Sequence, residues 1–337
     1  MIFILKYLGG FFLGGALGAN DCSNVFGTAV SSRMIKYSTA VILSAIFVFL
    51  GAVIDGKAGI ETLSKGLRNK SSVQVQQSNI DPVRRSSVAV KTVVATSFAA
   101  AITVTIMTLL KMPISTSQAV VGAIVGVGLM QKNVNLGGLE KIVICWITTP
   151  LGGAFFTIVF YYFFKYFLDK WKPSVFIYDP LMSLLLTVCG CYGAYALGAN
   201  NVANVSAVFV GAGMMTTMQA ACFGGIAIAT GVLFFAKPVM TTVGKSIIKL
   251  NAFTAFVCVL SHAVTIHIYA EIGVPVSSTQ AIIGALFGIG FIKGAHVINY
   301  GSLLKVFSGW LFTPVIACAL AMFLWIIENL SVNLNGY

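Results

Sequence analysis

Apolar runs long enough to cross a lipid bilayer recur along nearly the whole chain, and no other feature restricts its fold so tightly. They cover residues 2–19, 38–56, 86–110, 114–130, 142–167, 180–199, 217–236, 251–270, 276–292 and 302–327. A helix needs about 20 apolar residues to span the hydrocarbon core. Only 9% of the residues are charged and 58% are hydrophobic, whereas soluble domains carry about 25% charged residues. A soluble fold would need a water-facing surface that this chain cannot supply. The expected product is an all-α polytopic membrane protein, solvated by the lipid of a cell membrane, with about 10–12 membrane segments.

Two shorter runs, 22–31 and 202–211, each follow a Gly-Ala-Asn triplet. Ten residues of helix rise about 15 Å, half the hydrocarbon core, so these runs are expected to be broken or re-entrant half-helices. The runs at 114–130 and 276–292 are also short, and each starts just after a proline, Pro113 or Pro275.

The net charge of +12 does not argue for a nucleic-acid partner. Most basic residues lie in short polar links between apolar runs, where membrane proteins hold their cytoplasmic loops. The longest link is Gly56–Arg85, whose Ser71–Asn79 centre reads as a flexible loop. The links after Gly56 and after Ala236 are both basic, so charge assigns no sidedness. The seven cysteines show no zinc or redox spacing and read as small buried thiols. Met1–Gly10 reads as a retained first helix and not a signal peptide. No nucleotide loop, HExxH or nucleophile elbow occurs, so no enzyme or resident cofactor is expected.

The chain is also internally repeated. Gly18-Ala19-Asn20-Asp21 matches Gly198-Ala199-Asn200-Asn201 at an offset of 180, which also carries Asn24 onto Asn204 and Gly51 onto Gly231. Pro113-Ile114-Ser115-Thr116-Ser117-Gln118 matches Pro275-Val276-Ser277-Ser278-Thr279-Gln280 at 162, and Trp146 with Thr149-Pro150 matches Trp310 with Thr313-Pro314 at 164. The offset changes across the Gly66–Arg85 loop, which marks an insertion. The Lys165–Asp179 link divides the chain into repeats of 1–179 and 180–337. A repeat in a polytopic membrane protein, with short or broken segments at matching places, points to a secondary transporter and to its binding site.

The two Pro-x-Ser motifs suit a helix start. Proline lacks an N–H that would go unused there, and Ser or Thr caps the free N–H groups. The N-terminus then offers backbone donors, hydroxyls and the positive dipole end to an anion. Ser115, Thr116, Ser117 and Gln118, with Ser277, Ser278, Thr279 and Gln280, are therefore candidate anion ligands. The plainer reading is an ordinary capped helix. Gly122, Gly126 and Gly128, echoed by Gly284, Gly288 and Gly290, are expected to serve close helix packing.

Asn20, Asp21 and Asn24 would group oxygens near one helix face, which suits a hard cation or a proton-bearing anion. Asp21 is the only acidic residue among the first 54, and an intramembrane carboxylate is a functional candidate. In the second copy Asn201 takes its place, and no acidic residue occurs from Pro180 to Ala270. His262, His267 and Glu271 lie close together; a proton relay or metal site is weighed against a helix-end polar cluster, and the cluster is the expectation because no third ligand follows a metal spacing.

With GANDCSN at Gly18–Asn24, GANNVAN at Gly198–Asn204, PISTSQ at Pro113–Gln118 and PVSSTQ at Pro275–Gln280, the chain resembles the inorganic phosphate transporter (PiT) family of ion-coupled symporters, which also contains sulfate permeases. The resemblance covers nearly the whole chain. It implies inverted repeats, a site near the membrane midplane, sodium- or proton-driven uptake of phosphate, and a homodimer. It implies that Asp21 serves substrate or cation, that Thr116, Ser117, Gln118, Ser278, Thr279 and Gln280 line the anion site, and that Asn20, Asn24, Asn200 and Asn204 help coordinate the coupling cation, Na+ or H+. Ser115, Ser277 and Asn201 complete the expected substrate set.

The family pattern usually has Asp in both Gly-Ala-Asn motifs, and Asn201 departs from it. Phosphate near neutral pH carries a proton to share with a carboxylate, while sulfate carries none and is better served by an amide donor. Sulfate is therefore the alternative substrate. An anion channel and a membrane enzyme using His262 and Glu271 are the readings from other classes.

Overall fold

The computed structural model describes residues 2–66, 82–110, 114–243, 250–294 and 300–334. Among these the chain is helical: α1 Ile2–Ser31, α2 Tyr37–Ile54, α3 Lys57–Gly66, α4 Pro82–Leu109, α5 Thr116–Met130, α6 Leu136–Trp171, α7 Val175–Gly211, α8 Thr217–Phe235, α9 Lys237–Val243, α10 Ala252–Ile272, α11 Ser278–Lys293 and α12 Tyr300–Leu334. Seven of them (α2, α4, α6, α7, α8, α10 and α12) are long and apolar enough to cross a membrane. Apolar side chains that would be sheltered in a soluble protein lie outside on one face: Ile144, Ile147, Leu151 and Phe155 of α6 are all exposed. An exposed apolar stripe of this kind fits a helix long and apolar enough to cross a membrane.

The helices do not break at the Gly-Ala-Asn motifs. α1 runs through Gly18 to Ser31 and α7 through Gly198 to Gly211 as single helices, so the expected half-helices at 22–31 and 202–211 are absent. The asparagine side chains turn to other side chains or to the backbone of another segment, and both helices continue unbroken. The glycines serve another end. A Cβ on Gly18 would run into the Ile228 carbonyl of α8, and one on Gly198 into the Val48 carbonyl of α2. They let two backbones touch.

Short helices appear where prolines mark them. α5 and α11 have 15 and 16 residues, a rise of about 22–24 Å, less than the roughly 30 Å core. Before α11 the chain ends α10 at Gly273, in the left-handed region with φ 76°, which glycine adopts without strain. Val274 N–H then reaches back to Tyr269 O at 3.0 Å, closing the helix end in the Schellman manner. Residues Val274 to Ser277 run non-helical and buried into α11. The supposed link at Lys165–Asp179 is nearly all helix, since α6 ends at Trp171 and α7 begins at Val175. Of the Gly56–Arg85 link, 57–66 form α3; the Ser71–Asn79 stretch lies outside the described residues.

Contacts are reciprocal between matching positions. Gly18 meets Ile228, and Gly198 meets Val48, the position 180 residues before Ile228. Gly51 meets the Tyr195 carbonyl, and Gly231 meets that of Gly15. In the same way Gly122 of α5 meets Pro314 of α12, and Gly284 of α11 meets Pro150 of α6. Gly126 and Gly288 continue these two seams against Cys318 and Ala154. A pattern in which i touches j and the partner of j touches the partner of i is that of a two-fold arrangement.

Candidate functional site

At the centre of this exchange α1 and α7 bring positions 21 and 201 together. Asn201 Nδ2 donates to Asp21 Oδ2 at 3.1 Å, and Thr116 Oγ1, in the first turn of α5, donates to the same oxygen at 3.2 Å. Asn20 Nδ2 donates to Asp21 Oδ1 at 2.9 Å. Asp21 and Asn201 are both buried. A buried carboxylate is tolerated when donors surround it, and three side chains from α1, α5 and α7 supply them. The Asn201 carbonyl accepts in turn from Asn204 Nδ2 at 2.9 Å and Asn200 Nδ2 at 3.3 Å.

A second string of contacts gathers at the start of α11. Asn24 Nδ2, one turn beyond Asp21 on α1, lies 3.1 Å from Ser278 Oγ and 3.4 Å from Thr279 Oγ1. His262 Nε2 of α10 is 2.9 Å from Ser278 Oγ on its other side. Asn200 holds the non-helical segment before α11: its Nδ2 donates to Val276 O at 2.8 Å, and Val276 N–H donates to its Oδ1 at 2.9 Å. A buried backbone pair outside any helix would otherwise lack partners. One amide satisfies both.

Ser115 and Ser277 act as N-caps, their hydroxyl oxygens accepting from Gln118 N at 3.3 Å and Gln280 N at 3.2 Å. The capping function read from the sequence is therefore present at both short helices. Ser117 Oγ, Gln118 Oε1, Gln280 Oε1 and Asn204 Oδ1 are buried without a hydrogen-bond partner. Buried polar atoms are nearly always paired, so four unpaired ones on α5, α7 and α11 leave room for a polar ligand's own bonds. A half-turn of a glutamine amide offers NH2 in place of its oxygen.

Side-chain bonds thus join Asn20, Asp21, Thr116, Asn200, Asn201 and Asn204 in one network and Asn24, Ser278 and Thr279 in a second, and the remaining motif residues sit at the two helix starts. The structure separates the three residues grouped from the far end of the chain. His262 is fully buried against Ser278, whereas His267 and Glu271 face Asp55 elsewhere. The sequence reading missed His262 as a neighbour of the helix start because 16 residues separate it from Ser278.

Helices of membrane-spanning length around a buried polar centre make the chain a polytopic membrane protein, with that centre as its candidate site. Residues 17–321 match the model of the phosphate transporter family, and the chain belongs to that family. It is 29% identical to the sulfate permease CysP of Bacillus subtilis, over 91% of this chain and 83% of that protein. It is 27% identical, over 96% of both chains, to a Thermococcus kodakarensis protein named "Putative phosphate permease TK2061". Among solved structures it superposes on one titled "The sodium-dependent phosphate transporter" with a TM-score of 0.82 and 23% identity, covering 98% of this chain and 99% of the other. At that identity the likeness speaks for the fold.

Proposed function

We propose that the protein is a symporter that takes up inorganic phosphate across the cell membrane, driven by Na+ or H+, and that Asp21 with the starts of α5 and α11 forms its site. The observation that carries this reading is the buried Asp21, held by Asn201 and Thr116 beside two short capped helices. Backbone N–H groups and the hydroxyls of Thr116, Ser117, Ser278 and Thr279, with Ser115, Ser277, Gln118 and Gln280, receive the anion. Asp21 and the carbonyls of Asn20, Asn24, Asn200 and Asn204 receive the cation. Asn201 contributes its amide to the substrate.

Coupling follows from charge. An oxyanion alone would be repelled by Asp21, and a cation between them removes the repulsion. Each ligand then raises the other's affinity. The reciprocal contacts support two repeats, 1–179 and 180–337; in this proposal they are inverted about an axis in the membrane plane, and their relative rocking exposes the site to either side. A homodimer, each protomer with its own pathway, completes the proposal.

Purified protein in liposomes is expected to accumulate labelled phosphate against its gradient when a sodium or proton gradient is imposed. Equilibration without uphill accumulation would make it a channel. Sulfate is the second reading, and one observation favours it: where a second carboxylate would meet Asp21, the Asn201 amide stands. Accumulation of sulfate that excess phosphate does not reduce would replace phosphate as the substrate.

A further inference from the structure

Asp55, at the C-terminal end of α2, meets His267 and Glu271 of α10 away from Asp21 and Asn201. His267 Nε2 lies 3.4 Å from Asp55 Oδ2 and 3.5 Å from Glu271 Oε1. These separations exceed the usual 2.7–3.2 Å or so of an N–H···O bond, and Nε2 is buried with no hydrogen-bond partner. Those two separations match edges of a metal tetrahedron, and the three ligand atoms all lie within 4.8 Å of one another. Zinc–nitrogen and zinc–oxygen bonds of about 2.0–2.2 Å put ligand atoms about 3.3–3.5 Å apart.

The surroundings orient the ligands. Tyr192 OH lies 2.8 Å from His267 Nδ1; when Nδ1–H donates to it, the Nε2 lone pair faces the two carboxylates. Tyr195 OH donates to Asp55 Oδ2. Both tyrosine rings stand edge-on to the imidazole, with centroids 5.4 and 5.7 Å away. This is the outer support that metal-binding histidines show. Glu271 is 64% exposed, and a carboxylate is costly in hydrocarbon, so this face meets water and an ion can reach it. We propose that Asp55, His267 and Glu271 bind a divalent first-row metal ion of the zinc class, with a water completing the shell. The ion ties α2 to α10 just before the chain turns into α11. This site goes beyond the transport reading and stands without it.

The test titrates chelator-stripped protein in detergent with Zn2+, following heat release and melting temperature. One saturable equivalent and a raised melting temperature are expected. Binding should weaken at least about tenfold in His267→Gln and Asp55→Asn, less in the exposed Glu271→Gln, and about tenfold in Tyr192→Phe. Co2+ in place of Zn2+ should give ligand-field bands without thiolate charge-transfer absorption. Wild-type binding no tighter than that of His267→Gln overturns the proposal, as does binding that survives there and is lost in Asp21→Asn. A protonated His267 paired with both carboxylates would give the first of these results.

Discussion

The two Gly-Ala-Asn motifs occupy matching places and yet have different tasks. In the first, Asn20 spends its amide on Asp21, its neighbour, and Asp21 takes Thr116 from α5. In the second, Asn200 spends both ends of its amide on the backbone of Val276, and Asn201 gives its N–H to Asp21. The helix starts differ likewise. Ser278 is flanked by His262, whereas the position 162 residues earlier is Ala100. The first half brings the charge with two of its donors, Asn20 and Thr116, and the second brings the third donor, Asn201, and the imidazole beside Ser278. Matching motifs thus differ in the single residues that set their contacts.

This division is most sharply tested at its charge. Asp21→Asn preserves shape but leaves three donors facing one neutral acceptor. Hydrogen bonds to charged groups contribute about 1.5–3 kcal/mol each, so initial uptake should fall on the order of a hundredfold. Asn201→Ala removes one of the three bonds to that carboxylate and should lower uptake by about tenfold, the low end of that range, because the other two donors remain. Equal losses would mean that the halves share the site evenly, and the comparison would fail.

The asparagines before them should differ in stability. Asn200→Ala strands a buried N–H and a buried carbonyl at Val276, at about 1–3 kcal/mol for each unsatisfied group. Asn20→Ala frees one bond from a carboxylate that keeps two other donors, and should cost about 1.5 kcal/mol, the low end for a bond to a charged group. Thermal denaturation in detergent reads both. A larger drop for Asn20→Ala would reverse the assignment.

Much of this arrangement is visible in the chain before it folds. Paired motifs at constant offsets marked the repeat, and prolines followed by serines marked the two short capped helices. The short apolar runs 22–31 and 202–211 were misleading as half-helices, because each continues one long helix past a polar motif, and Gly18 and Gly198 serve as places for another backbone to approach. Sequence records local conformation, and close approach depends on Ile228 and Val48, far away in the chain. The partnership of Asp55 with His267 was hidden for the same reason: no spacing rule connects α2 with α10. Contact between positions 21 and 201 was invisible too, since an offset says that two residues match and not that they touch.

His262 sharpens the comparison at the helix start. His262→Ala gives the second half the residue of the first, Ala100. Ser278 then keeps Asn24 but loses the imidazole that sets its hydroxyl. The apparent KM for the anion should rise about tenfold, one lost hydrogen bond to a polar group being about 1 kcal/mol or slightly more, with maximal rate little changed. A fall in rate at unchanged KM would place His262 in the conformational cycle instead.

The smallest expected effect says most about the substrate. Asn201→Asp would set a second carboxylate where an amide now lies 3.1 Å from Asp21. Two unit charges about 4 Å apart repel by about 4 kcal/mol at an effective dielectric of about 20, so the pair cannot stay doubly ionised without help. A bound cation or a proton relieves it. The steady rate should therefore change only a few-fold, while its dependence on sodium or on acid steepens. A shared proton also suits an anion that carries one, so the ratio of phosphate to sulfate uptake should rise by about threefold, under 1 kcal/mol. In the native chain the Asn201 amide already supplies the donor that such a proton or cation would provide. If Asn201→Asp leaves both the ion dependence and the anion ratio unchanged, the contact between the halves is a packing contact, and the asymmetry between them has no part in selecting the substrate.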